Sequence, residues 1–333
     1  MTPREIVAAA IEFRTPERLP IRFGSLGLDD TFCVGPGCAS GWSPSREGED
    51  EWGCLWERPA PETGVVNMGQ PRGHTLTDYA MMADWPWPDP HDPARYAHLD
   101  EALAHAGDKY VLIGCGFTFF ERMHYLRSME NLFVDLYESP DQVHELAERV
   151  LAFPIGVAQE VGRRFRGLIH GFAMTDDWGT QKQCFLRLDM WREFFKDRYR
   201  RLYDAIHQAD MHAWMHSCGY VNDIIGEWMD VGLDVVNLQQ PRALGIEEIG
   251  RRYRGGICFE SLCDIQRTLP FGTEDEIREE AALLLREWGT PEGGFVLGDY
   301  GDGRAIGVPD DRKQIMLRAF CELAAPELLD GLN

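Results

Sequence analysis

The chain has 333 residues, 44% of them hydrophobic and 26% charged, which suits a folded protein and exceeds one average domain of roughly 100–200 residues. Fifty-five acidic residues against 33 basic ones give a net charge of −22, a surface that repels phosphate backbones and argues against nucleic-acid binding. No apolar run approaches the ~20 residues of a membrane span, and the charged N-terminus lacks a signal-peptide core, so the chain reads as cytoplasmic. Nine scattered cysteines are then read as reduced thiols.

The first 107 residues are irregular and rich in Trp, Gly and Pro. Trp42, Trp52, Trp56, Trp85 and Trp87 carry enough apolar surface for an ordered elaboration of a single domain spanning 1–333. A segment at 18–25, RLPIRFGS, offers a first strand. From residue 108 short β-prone runs alternate with helical patterns. KYVLIGCGF (109–117) predicts a strand and 119–139 a helix. Ser139 and Pro140 form an N-cap and N1 pair opening a helix over 139–165. Strands are predicted at 167–174, 211–216, 233–239, 256–261 and 293–300. Helices are predicted between them at 188–209, 221–232, 245–255 and 273–289, with a last one at 309–325. Such strict alternation implies a parallel sheet, and this length favours a closed, distorted (β/α)8 TIM barrel over a doubly wound open sheet.

In such barrels the site lies at the C-terminal strand ends. The predicted strands close on Asp176, Asp177 and Gln181; on His216 and Cys218; on Gln239 and Gln240; on Glu260; and on Asp299, Tyr300 and Asp302. His216 and Cys218 stand out. At i and i+2 on extended chain their side chains share a side, and one zinc ion ~2.0–2.1 Å from imidazole nitrogen and ~2.3 Å from thiolate reaches both. The competing reading is a core histidine beside a core thiol. Other motifs fail. DMHAWM (210–215) has Met215 where the corrinoid-binding D-x-H-x-x-G needs glycine. GDGRAIG (301–307) lacks G-x-G-x-x-G spacing, and no Walker A, H-E-x-x-H or G-x-S-x-G occurs.

The pieces DDWGTQ (176–181), HSCGYVNDIIGEWMDVGLDVVNLQQ (216–240), FESLCDIQRTLPFGT (259–273) and GGFVLGDY (293–300) resemble the uroporphyrinogen decarboxylase superfamily. The resemblance covers most of the chain. It implies a distorted TIM barrel with an open cleft, frequently dimeric. The decarboxylase's arginine-rich N-terminal motif is missing from RLPIRFGSLGLDDTF, so the resemblance favours the superfamily's methyltransferases, which move methyl groups between a small methylated substrate and a corrinoid protein or folate.

Several of those enzymes bind zinc through H-x-C and a later cysteine. His216 and Cys218 match the first part, but Gly298, Asp299, Tyr300, Gly301 and Asp302 occupy the region of the later cysteine. The third ligand is then expected to be Asp299 or Asp302, less readily Glu260, or to be absent. Asp176, Asp177 and Glu260 are the expected catalytic carboxylates; Gln181, Gln239 and Tyr300 are expected to bind substrate. The methyl carrier would be a corrinoid on a separate protein or tetrahydrofolate. The alternatives are a cofactor-independent decarboxylase or lyase acting on a small acid, and a non-catalytic binding protein.

Overall fold

The computed structural model describes residues 1–57 and 69–332. Within the Trp/Gly/Pro-rich first 107 residues, 58–68 lie outside the described residues. The barrel strands are β1 (Ile21–Phe23), β2 (Leu28–Asp29), β3 (Thr31–Val34), and, after a small antiparallel pair β4 (Trp56–Glu57) and β5 (Gln70–Pro71), β6 (Tyr110–Phe117), β7 (Gly171–Thr175), β8 (His212–His216), β9 (Val235–Leu238), β10 (Cys258–Ser261) and β11 (Phe295–Gly298). The sheet runs β2-β1-β11-β10-β9-β8-β7-β6-β3, and within it β2 alone is antiparallel to its neighbour. Its two ends, β2 and β3, are separated in sequence only by Asp30. The Arg22 Nε–H spans the same gap, donating to Thr31 Oγ1 at 3.1 Å. The fold is therefore a nearly closed, distorted TIM barrel, as the alternation predicts.

Period-2 strand geometry sorts side chains between the barrel interior and the helical shell. Leu112, Trp214, Val235, Cys258 and Val296 fill a middle layer of the interior, closed below by Val7 and Ile11 of the first helix, Pro3–Ile11. Two residues further along β8, β9 and β10 the interior turns polar: His216, Asn237 and Glu260 line a cavity at the C-terminal ends. The first helix, β2, β3 and the β4–β5 pair are absent from the expected list of elements. The predicted helix over 119–139 is two helices, Phe120–Arg127 and Met129–Glu138. They break at Ser128, whose φ of 70° is not helical and whose hydroxyl caps the second helix at the Asn131 N–H. The helix predicted at 188–209 carries one π-type turn over Arg192–Lys196.

In the N-terminal elaboration, Trp52 packs edge-on against Trp87 and Phe153, with ring centroids 6.4 and 5.3 Å apart. Buried Arg95 forms an ion pair there with the partly buried Glu51. No helix among the described residues is long and apolar enough to cross a membrane.

Candidate metal centre at the C-terminal end of the barrel

β7 and β8 lie side by side with Thr175 opposite His216. Continuing both chains by two residues brings Asp177 beside Cys218, and the Cys218 N–H donates to Asp177 Oδ1 at 2.7 Å. His216 Nε2 lies 3.3 Å from Cys218 Sγ and 3.7 Å from Asp177 Oδ1. One ligand atom from each of Asp177, His216 and Cys218 falls within 4.8 Å of the other two. The other imidazole nitrogen, Nδ1, donates to Asn237 Oδ1 at 2.5 Å, from the residue opposite His216 on β9. Burial alone would lower the His216 pKa. The Cys218 sulfur and the Asp177 carboxylate facing it, with Asn237 as acceptor, raise it to about 10.

Two glycines allow the loops after β7 and β8 to meet. Gly219 has a φ of 80°, and a Cβ there would collide with the Gly179 carbonyl; a Cβ on Gly179 would sit 2.5 Å from the Tyr220 nitrogen. The contact is fastened by the Tyr220 N–H donating to the Thr180 carbonyl at 2.7 Å. Trp178, fully buried, stacks on Phe120 at 4.1 Å between centroids and donates its indole N–H to Tyr199 Oη. The Asp177 loop is thus anchored on both sides.

The remaining expected site residues have separate places. Asp176 is fully buried and accepts the Phe120 and Glu121 N–H groups at 2.9 and 2.7 Å, capping the helix that follows β6, and also the Tyr199 hydroxyl. Burial, with the Glu121 carboxylate nearby, holds its carboxyl well above the usual range despite those donors. No ligand can touch it there, so the arrangement makes Asp176 a helix anchor instead of a group in contact with substrate. Asp299 pairs with buried Lys313 at 2.9 Å and accepts the Ser25 hydroxyl at 2.5 Å. Asp302 caps the short turn Gly303–Ile306 and holds Arg304, which keeps its carboxyl low, at about 2. Neither belongs to the His216–Cys218 cluster, because β11 is three places from β8 in the sheet whereas β7 adjoins it.

Glu260 accepts Arg22 Nη1 on both oxygens at 2.8 Å and the Trp214 indole N–H at 2.7 Å. Gln181 donates to Gln240 Oε1 at 3.0 Å, and the same oxygen accepts the Gly219 N–H. Gln239 lines the cavity directly. Tyr300 is half-buried, and its phenol is raised by burial and by the nearby Cys218 and Asp177.

The cavity has a volume of about 470 Å³. Its walls include Gly114, Gly116, Ala173 and Met174 on one side and Arg22, Asp29, Asn237, Glu260 and Asp299 on the other, with His216 reaching it from the metal-type cluster. Three residues of the site carry no expectation above: Arg22, Asn237 and Glu121. Glu121 is buried beside Asp177 and accepts the Thr175 and Tyr125 hydroxyls at 2.6 and 2.8 Å. Asn237 was findable from sequence as the residue two before Gln239 on the same strand face. Glu121 lies inside a helical pattern that gives no such signal.

The solved structure of a methyltransferase from Methanosarcina mazei superposes with a TM-score of 0.69, at 14% identity over 97% of this chain and 99% of that one. At that identity the likeness is one of fold. Xylanase 10B from Thermotoga maritima reaches only a TM-score of 0.39 at 12% identity, over 89% of this chain and 85% of that one. No curated protein sequence matches the chain. The family profile described as uroporphyrinogen decarboxylase (URO-D) matches residues 66–319, most of the chain. With the barrel and its cleft, that match places the chain in the uroporphyrinogen decarboxylase family.

Proposed function

We propose that the chain is a metal-assisted methyltransferase or demethylase that moves a methyl group between a small methylated substrate and a corrinoid protein or a folate. The observation that carries this reading is the convergence of Asp177, His216 and Cys218, with His216 lining the cavity. A carboxylate oxygen, an imidazole nitrogen and a sulfur are the donor types that bind zinc, and three protein ligands leave a fourth position for substrate. The donors fit the ion in detail: His216 Nδ1 is committed to Asn237, so Nε2 is the nitrogen left to bind. A zinc ion held by these three residues would serve as a Lewis acid toward the atom that gives up or receives the methyl group.

The chain's own residues supply position and charge. Asn237, Asp177 and the Gly179–Gly219 contact fix the ligand atoms, and the side-chain-poor wall at Gly114, Gly116 and Ala173 leaves room for a small substrate. Asp29, Glu260 and Asp299 outnumber Arg22 on the opposite wall, and Lys313 compensates only Asp299. This surplus favours neutral or cationic substrates over a polycarboxylate. It weighs against tetrapyrrole decarboxylation, because Arg22 already spends its Nη1 on Glu260.

The test uses protein purified without a histidine tag. Zinc is measured in wild type and in His216→Ala, and methyl exchange with methylcobalamin and with methyltetrahydrofolate is followed spectroscopically. Near-stoichiometric zinc in wild type only, with methyl exchange on one carrier, is the expected result. Equal, trace metal in both proteins and no exchange with either carrier would overturn the reading.

A further inference from the structure

Asn237 sits on β9 opposite His216, and the Ser217 N–H donates to its backbone carbonyl at 3.2 Å, so strand pairing fixes the residue beside the imidazole. The residue is 6% exposed. Its Oδ1 lies 2.5 Å from His216 Nδ1. An amide oxygen can only accept, so Nδ1 carries a hydrogen and donates.

We propose that Asn237 is the positioning residue of the site: it holds the His216 ring so that Nε2, and not Nδ1, faces Asp177 and Cys218. The inference rests on the proposed metal-assisted reading for its purpose, though not for its geometry. Without an acceptor at this place the ring can rotate about its Cβ–Cγ bond and present either nitrogen. With Asn237 in place, rotation breaks a short, buried hydrogen bond. Positioning partners of this kind set metal affinity without touching the metal. A carboxylate of the same shape can do the same work, because Oδ1 remains an acceptor. A leucine of similar volume cannot.

Two measurements on the full chain test this. In the metal-free protein, a ¹H–¹⁵N spectrum should show a slowly exchanging His216 Nδ1–H in wild type and Asn237→Asp, and none in Asn237→Leu. Zinc titrated against a chromophoric chelator should bind Asn237→Leu roughly 10- to 100-fold more weakly than wild type, with Asn237→Asp within a few-fold of wild type. A wild-type spectrum without a protected Nδ1–H overturns the assignment without recourse to any variant. So does Asn237→Leu retaining both the resonance and full zinc affinity. A protected Nδ1–H lost in Asn237→Leu, in a protein that binds no zinc, keeps the positioning role and removes the metal-assisted reading instead.

Discussion

His216 Nε2 and Asp177 Oδ1 lie 3.7 Å apart across neighbouring strand ends, and that oxygen also accepts the Cys218 N–H. The relationship follows from the β7–β8 register, which carries Asp177 to Cys218 once Thr175 is opposite His216. Asp177→Ala is therefore expected to weaken zinc binding by roughly 100-fold, at least the loss that removal of an outer-shell partner brings. Asp302→Ala should leave zinc binding unchanged, because its carboxylate serves Arg304 and the turn it caps. Chelator competition distinguishes the two, and the reverse order of affinities would rule out this ligand set.

Asp299 calls for a different expectation. Lys313 is 2% exposed on its side chain and donates to Ser25 Oγ and to the Tyr300 and Gly301 carbonyls, with Asp299 as its counter-charge. Asp299→Asn would leave a buried cation uncompensated and cost about 3–5 kcal/mol. Urea unfolding should show that loss, while zinc affinity of the folded fraction stays as in wild type. Reduced zinc binding with unchanged stability would return Asp299 to the ligand set.

The barrel was legible because its signal is local: each βα unit shows its own switch from period 2 to period 3.6. His216 and Cys218 were legible for the same reason, lying two apart on one strand. The partner was not, because choosing among Asp177, Asp299 and Asp302 is a question of strand adjacency. β7 adjoins β8 and β11 does not, and a barrel drawn from sequence with consecutive strands as neighbours already contains that answer. β2 and β3 were missed because they are two and four residues long and closed by a reversal at Asp30, whose carboxylate takes the Ile21 N–H and Arg18. Such tertiary pairing overrides weak local pattern.

Gly219→Ala should damage the site through the backbone alone. The residue is in the left-handed region, where a Cβ costs about 1–2 kcal/mol, and the added carbon would collide with the Gly179 carbonyl. The loops after β7 and β8 must then separate, drawing Cys218 away from Asp177. Zinc affinity should fall together with thermal stability, and a variant with wild-type values of both would contradict this packing.

Asp176→Ala is expected to destabilise the fold by about 3 kcal/mol or more. It strands the Phe120 and Glu121 N–H groups and the Tyr199 hydroxyl in a dry interior, each unpaired group costing about 1–3 kcal/mol. Since no solvent reaches Asp176, any loss of activity should track the unfolded fraction. A variant that is as stable as wild type but inactive would make Asp176 a participant in the chemistry.

His207 gives a stability prediction with a defined pH sign. Its Nε2 lies 2.8 Å from Asp234 Oδ2, an oxygen that also accepts the Ala213 N–H at 2.7 Å, so the pair ties the end of the helix Asp197–Gln208 to the starts of β8 and β9. The hydrogen bond donated to Asp234, opposed by partial burial, raises the His207 pKa above its usual value. A raised folded-state pKa means that the native protein binds the proton more tightly than the unfolded chain. This contribution is therefore fully present below the unfolded value of roughly 6.5 and is lost as pH rises through the higher folded value. His207→Gln should remove that slope, so that the difference in urea midpoint between variant and wild type is largest near pH 6 and shrinks above neutrality. A difference that grows with rising pH would show that His207 enters the folded state neutral.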